Sequence, residues 1–320
     1  AALVATQLLG NAFYYSSQNV STLWPTSGLV IAILLLTQIR FWPVILGILL
    51  LVQGTTEFLI YERSVPYVLS FLLPINVEAI LAAGIIRIRL GNPLRVWEIK
   101  PFLYSFCLVA VVGATLVGTL VGATVVKYHF PSASFLGVGQ MWWFADALGI
   151  LIVAPPVLAW FQFRKNSLDR FQFIKKRRVE IIALGVGLIA ASVVGFGAEL
   201  GSRRAIFEFP YIVVPFLVWT AVRFDFRVAT TGVLATSLIL VWYTVTGVGP
   251  FVGAHLSPTE TVLALQAYLA FTTFTILVLS IFVELNREAE SALREAKEKA
   301  ELANRTKSEF LANVSHEIRT

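Results

Sequence analysis

Cysteine is almost missing from the chain: Cys107 is the only one in 320 residues. A disulfide framework or a cysteine metal site within one chain is thereby excluded, and redox chemistry is not indicated. Charge is also scarce, at 14% of residues. Soluble domains carry about 25% charged and roughly 45–50% apolar residues, whereas this chain is 57% hydrophobic with a mean hydropathy of +0.78. A soluble globular fold is excluded. A cleavable secretory signal is not apparent, because the apolar segments run up to about Leu285 instead of forming one short stretch ahead of soluble sequence. The chain begins at Ala1 inside an apolar stretch and stops within a helical motif, so truncation is expected at both ends.

What fills the sequence is long hydrophobic runs. A membrane-crossing helix needs about 20 apolar residues, and ten candidates are centred near residues 10, 31, 51, 76, 114, 150, 189, 214, 237 and 273. A short turn at Arg40 and Phe41 and an interruption at Pro215 allow eight or nine spans as well. The expected fold is all-α, a polytopic membrane bundle of about eight to ten helices followed by a cytoplasmic coiled-coil helix. With both ends cytoplasmic, the inner connections carry Arg40, Arg87, Arg89, Arg95, Lys100, the seven Lys and Arg from Arg164 to Arg178, Arg223 and Arg227. The outer connections carry only Arg63, Lys127, Arg203 and Arg204. Retained Lys and Arg set orientation, so fourteen against four supports this topology. The net charge of +6 then reports orientation, and no nucleic-acid partner is expected.

Composition changes abruptly after Leu285. Between 285 and 310 there is no Gly or Pro, and opposite charges recur at helical spacing, as in Glu290 with Arg294, Glu295 with Lys299, and Glu301 with Arg305. A stripe through Leu285, Ala289, Ala292, Ala296, Lys299, Ala303, Thr306 and Phe310 is apolar at six of eight places, a thin seam suited to a coiled coil between two subunits. A solvated single helix held by charge pairs is the alternative. The chain thus divides into a membrane domain over 1–285, a signalling helix over 286–306, and a motif over 307–320.

That motif reads Lys307-Ser308-Glu309-Phe310-Leu311-Ala312-Asn313-Val314-Ser315-His316-Glu317-Ile318-Arg319-Thr320. On a helix, Phe310, Leu311, Val314 and Ile318 gather on one side, while His316 and Glu317 can point away from it. Neutral imidazole has a nucleophilic ring nitrogen near pH 7, which suits it to accept a phosphoryl group. The stretch resembles the H-box that opens the HisKA dimerisation and phosphoacceptor domain of histidine kinases. The resemblance makes His316 the phosphoacceptor, gives Glu317 the role of general base and orienting group, and gives Thr320 a part in removing phosphate from a response regulator. It also implies a homodimer, a response-regulator partner, and ATP with Mg2+ in the full-length kinase. No Gly-rich phosphate loop is found; Gly247-Val248-Gly249-Pro250 is a turn. ATP and Mg2+ are therefore expected to bind outside this chain, which alone should not phosphorylate itself.

Four stretches in order carry a second resemblance: Leu23-Trp24-Pro25-Thr26-Ser27-Gly28-Leu29, Trp142-Trp143-Phe144-Ala145-Asp146-Ala147-Leu148-Gly149, Trp219-Thr220-Ala221-Val222-Arg223-Phe224, and Gly247-Val248-Gly249-Pro250-Phe251. Together they resemble the membrane-associated sensor domains of the first MASE type, over roughly residues 1 to 285. Where the usual first pattern has two prolines after tryptophan, this chain has Pro25-Thr26. The resemblance implies a multi-pass sensor in the inner membrane of a bacterium, ahead of a kinase or cyclic-dinucleotide output.

Within the expected spans lie three acids: Glu57, Glu78 near Asn76, and Asp146 beside Trp142 and Trp143. Ionisable residues at membrane depth face a cavity, a partner or a pathway. Asp146 leads the sensing candidates, followed by Trp142, Trp143, Glu78, Asn76, Trp24 and Glu57; structural bonding between spans is the alternative for each acid. The stimulus is expected to be an unknown small molecule or membrane protein, with lipids as the surrounding partners. His129 and His255 fall in outer loops and are expected to be incidental, and no metal site is expected. Gly118 and Gly122 are expected to allow close helix packing. Two other readings compete with a sensor kinase: a secondary transporter, which also needs intramembrane acids and broken helices, and the same sensor feeding a cyclase. The His316 motif argues against both.

Overall fold

The structure is a computed structural model that describes residues 2–14, 21–90, 106–107, 111–132, 134–162, 177–197, 210–252 and 256–319, with backbone alone at 90, 162 and 310–319. Its helices are α1 (Ala2–Ala12), α2 (Pro25–Leu36), α3 (Trp42–Leu59), α4 (Val65–Leu90), α5 (Thr115–His129), α6 (Phe135–Gln162), α7 (Arg178–Gly197), α8 (Val214–Arg223), α9 (Phe226–Val245) and α10 (Pro258–Arg319). Among the described residues there is no strand, and the fold is the expected polytopic helical bundle.

Every expected span centre falls in or at the start of a helix. Among the described residues seven helices, α3 to α7, α9 and α10, are long and apolar enough to cross a membrane. The other three, α1, α2 and α8, have 11, 12 and 10 residues. At 1.5 Å per residue they reach about 15–18 Å, roughly half the hydrocarbon core. Proline sets two of these limits: Pro25 opens α2, and Pro215 sits in the first turn of α8. Of the residues used for orientation, Arg95, Lys100, the run from Arg164 up to residue 176, Arg203 and Arg204 lie outside the described residues, as does His255.

Helix α6 is the axis of the bundle. It is apolar all round, which suits a helix surrounded by others, and 78% of its spanning window is buried against 22–44% for the other spans. Helices α2, α5, α9 and α10 pack on it. The α2–α6 contact is backbone against backbone. A Cβ on Gly28 would stand 2.1 Å from the Gly149 carbonyl oxygen, and one on Gly149 would stand 2.0 Å from that of Trp24. Only glycine fits there. The approach lets the Trp24 N–H donate to the Ala145 carbonyl at 3.1 Å, clamping the start of α2 to the middle of α6. Large apolar side chains such as Leu51, Leu69, Ile88, Ile182 and Phe271 remain exposed on the outside, where acyl chains would cover them.

Helix α10 runs without a break from Pro258 through the last span and the charged segment to Arg319. Where it leaves the bundle, Arg287 donates to the carbonyls of Phe224 at 2.8 Å and Val222 at 2.5 Å, satisfying the open end of α8. Beyond that point every described residue is exposed. The ion pairs formed there are Arg294–Glu298 at 3.0 Å and Lys297–Glu301 at 3.9 Å, a different register from the Glu-first pairs expected. Such exposed pairs are worth about 0.3–0.5 kcal/mol each, too little to decide where the helix goes.

Candidate functional site

One end of the bundle encloses a cavity of about 70 Å³, where α1, the start of α2, the end of α3, the α3–α4 turn, the first half of α4 and α6 converge. Segments from across the first half of the chain build it. Gln7, Asn11 and Tyr14 come from α1 and its end, Trp24 from the turn into α2, Gln53 and Glu57 from α3, and Arg63 from the turn. Tyr67, Phe71 and Ile75 descend one face of α4, and Trp142 and Asp146 stand one turn apart on α6. That spacing follows from the helix: residues i and i+4 share a face.

Four of the sensing candidates meet here: Trp24, Glu57, Trp142 and Asp146. Glu78 stands against Asp146, close enough for the two carboxyl groups to interact. Asn76 does not reach the cavity; its amide donates to Leu72 one turn back at 2.8 Å. Trp143 packs its ring on Phe144 at 4.9 Å and is likewise outside the lining. The side chains of His316 and Glu317, and Thr320 altogether, lie outside the described residues.

At the mouth, Glu57 holds the polar network together. Its Oε1 accepts from Gln7 Nε2 at 3.0 Å and Asn11 Nδ2 at 3.2 Å, and its Oε2 faces Arg63 Nη1 at 3.2 Å. Glu62 takes φ +52°, a left-handed conformation unusual for a residue with a side chain, and the turn it makes brings Arg63 back over the end of α3. The Arg63 guanidinium lies 5.2 Å from the Tyr67 ring centre, 5.8 Å from Tyr61 and 6.0 Å from Tyr14, within cation–π range. Burial raises the Tyr14 phenol above its ordinary 10, with Arg63 opposing it. Burial lowers Arg63, but Tyr14, Tyr67 and Glu57 more than offset that, so it is held firmly charged.

Deeper in, Asp146 is 2% exposed and accepts from Ser27 Oγ at 2.8 Å through one oxygen; its carboxyl also interacts with Trp142 and Glu78, while among the described residues its Oδ2 and both oxygens of Glu78 make no hydrogen bond of ordinary geometry. Room for these groups comes from α5. A Cβ on Gly118 would stand 2.5 Å from Glu78 Oε2, and one on Gly122 2.8 Å from the Trp142 ring. The expected packing role of this glycine pair is therefore what shapes the wall of the site. His129, expected to be incidental, receives or donates a bond with Ser70 at 3.0 Å and packs its ring 4.9 Å from Tyr67. Gln7, Asn11, Tyr14, Gln53, Arg63 and Tyr67 escaped the sequence reading. Isolated polar residues in a short helix and a turn show no periodic signal; only Gln53, within an apolar run, could have been flagged as the acids were.

Among the described residues the lining has no His, Cys or Lys. Acids, amides and aromatic faces around a small cavity suit recognition of a ligand. Through Gln266, α10 also touches the site from behind: its Nε2 donates to the carbonyls of Thr22 at 3.0 Å and Met141 at 3.4 Å, the residues just before the Leu23-Trp24 turn and Trp142. No curated protein and no solved structure matches the chain. The MASE1 family model matches residues 1–287.

Proposed function

Because the chain belongs to the MASE1 family, a membrane sensor domain of signalling proteins, we propose that it is the sensing half of a two-component histidine kinase. A stimulus taken up at the Asp146–Glu57 cavity shifts α10 and so controls ATP-dependent phosphorylation of His316, from which phosphate passes to a response-regulator aspartate. Glu317 orients the imidazole and takes its proton, and Thr320 serves the reverse, phosphatase reaction. ATP and Mg2+ bind to a separate catalytic domain, and two copies pair through the charged part of α10 in the inner membrane of a bacterium, with the carboxyl end in the cytoplasm.

The observation that carries this reading is the continuity of α10. One helix, Pro258–Arg319, passes behind the cavity at Gln266, is gripped at Arg287, and ends in the His316 motif. A shift of a rigid helix at one end is a shift at the other. The test is to supply the chain with a matching ATP-binding domain and labelled ATP and to look for acid-labile phosphate. Label is expected on the parent chain and lost in His316→Gln; label retained in the variant overturns the assignment.

A further inference from the structure

The polar atoms of the cavity say what kind of ligand it takes. Buried polar groups almost always have hydrogen-bond partners, because an unmet one costs much of its hydration. Among the cavity-lining residues, four buried side-chain atoms have neither a hydrogen bond nor an ion pair: Gln7 Oε1, Gln53 Oε1, Asp146 Oδ2 and Trp24 Nε1, whereas Glu57 Oε2 is paired with Arg63. Three are acceptors and one is a donor. The Gln7 orientation is fixed independently, since its Nε2 is spent on Glu57 and on the Gln53 carbonyl at 3.3 Å. An occupant that satisfied these oxygens would have to bring hydrogen-bond donors.

Charge and surface point the same way. Two lining carboxyl groups, Glu57 and Asp146, stand against one lining cation, Arg63, which is paired with Glu57; Glu78 lies behind Asp146 and interacts with it. The walls between them are ring faces, from Trp24 and Trp142 to Tyr67 and Phe71, whose negative faces attract cations. Arg63 already shows the mouth holding a guanidinium against tyrosine rings and a carboxylate. Among the described residues no three His, Cys, Asp or Glu side chains come together as a metal ion would need. A water takes about 10–15 Å³ measured in this way, so about 70 Å³ accepts an occupant on the order of five or six heavy atoms.

We propose that the cavity binds a small organic cation bearing an ammonium or guanidinium group, its N–H donors directed to Asp146 Oδ2, Gln53 Oε1 and Gln7 Oε1 and its apolar part against Phe71, Ile75 and Trp142. This deepens the sensing reading and takes its regulatory meaning from it. Glu57 and Arg63 form the gate: the incoming cation competes with Arg63 for the same carboxylate and the same rings.

The test is ligand binding to the purified chain in detergent, read by thermal stability and tryptophan fluorescence. Four probes of similar size separate the causes: n-butylammonium and guanidinium, tetramethylammonium, which has charge but no donor, and butyrate. The first two are expected to stabilise the chain and the last two to leave it unchanged. Affinity for n-butylammonium should fall at least tenfold in Asp146→Asn and, independently, in Gln53→Leu, so that one variant suffices if the other fails to fold. Tetramethylammonium binding as well as n-butylammonium, butyrate binding better, or unchanged affinity in a folded variant would overturn the proposal. The sensing reading fails separately: cation binding without any change of output in the assembled receptor sinks the sensing role and leaves the cation site standing, whereas output that depends on Asp146 without cation binding does the reverse.

Discussion

Gln266 Nε2 lies 3.0 Å from the carbonyl oxygen of Thr22, joining the helix that leaves the membrane to the turn that carries Trp24 across 244 residues of sequence. The second bond of the same amide, to Met141 at 3.4 Å, reaches the turn of α6 that carries Trp142. One side chain on α10 therefore reads two walls of the cavity. Replacing it by Leu keeps the volume and removes both bonds.

Gln266→Leu is expected to separate binding from response. Two neutral hydrogen bonds contribute about 1–3 kcal/mol together, so the variant should insert, fold and keep its ligand while its stimulus-dependent output falls. Comparing binding to the purified protein with output in the assembled receptor checks this. Loss of both together would mean that Gln266 only holds the fold.

Asp146→Asn tests the centre of the site. The amide keeps the size of the carboxyl and still accepts from Ser27, but it removes the charge and changes Oδ2 or its neighbour into a donor facing Glu78. Membrane insertion and helical content are expected to stay as in the parent, with the stimulus response altered. An unchanged response in a well-expressed variant removes Asp146 from the sensing residues.

Asp146, Glu57, Trp142 and Trp24 were legible in the sequence for physical reasons. A carboxylate inside an apolar run, or a Trp-Pro break at a helix start, is too costly or too disruptive to be placed idly. Their partners were not legible. Gln7 bonds Glu57 across 50 residues and Ser27 bonds Asp146 across 119, and only the packing of α1, α2 and α3 around α6 brings them together. Asn76 shows the opposite case: two positions from Glu78 on a helix is a different face, and its amide donates to the backbone of its own helix. The bundle itself followed from hydropathy.

The glycines offer a graded test of packing. Gly28→Ala pushes a Cβ to 2.1 Å from backbone that cannot move without separating α2 from α6, and a loss of about 3 kcal/mol or more is expected, seen as failure to insert or a sharp drop in thermal stability. At Gly84 a Cβ meets nothing within 4 Å, so Gly84→Ala should be neutral or stabilise by up to about 1 kcal/mol through helix propensity. Gly118→Ala falls between. Its Cβ meets the buried Glu78 side chain, at 2.5 Å from Oε2 and 3.0 Å from Cβ, so a smaller loss than at Gly28 is expected, with the carboxyl beside Asp146 displaced and the response changed.

The exposed part of α10 makes a further demand. Beyond Arg287, residues 288–309 are exposed along their whole length, and most helical stability in proteins comes from packing an apolar face against a partner. Leu293 and Leu302 are 71% and 65% exposed, and in the heptad that puts Ala289, Ala296 and Ala303 at a they fall at e and g, flanking the seam. An apolar stripe of small residues bordered by two leucines fits a second copy of the same helix in parallel. With Cys107 replaced by Ser, Ala292→Cys and Ala296→Cys are expected to form disulfide-linked dimers in membranes under mild oxidation, because a and d positions face each other closely enough. Glu301→Cys, on the far side at f, should not. Cross-linking at Glu301 with none at Ala292 or Ala296 would place the seam on another face, and no cross-linking at any of the three would leave the helix without a partner copy.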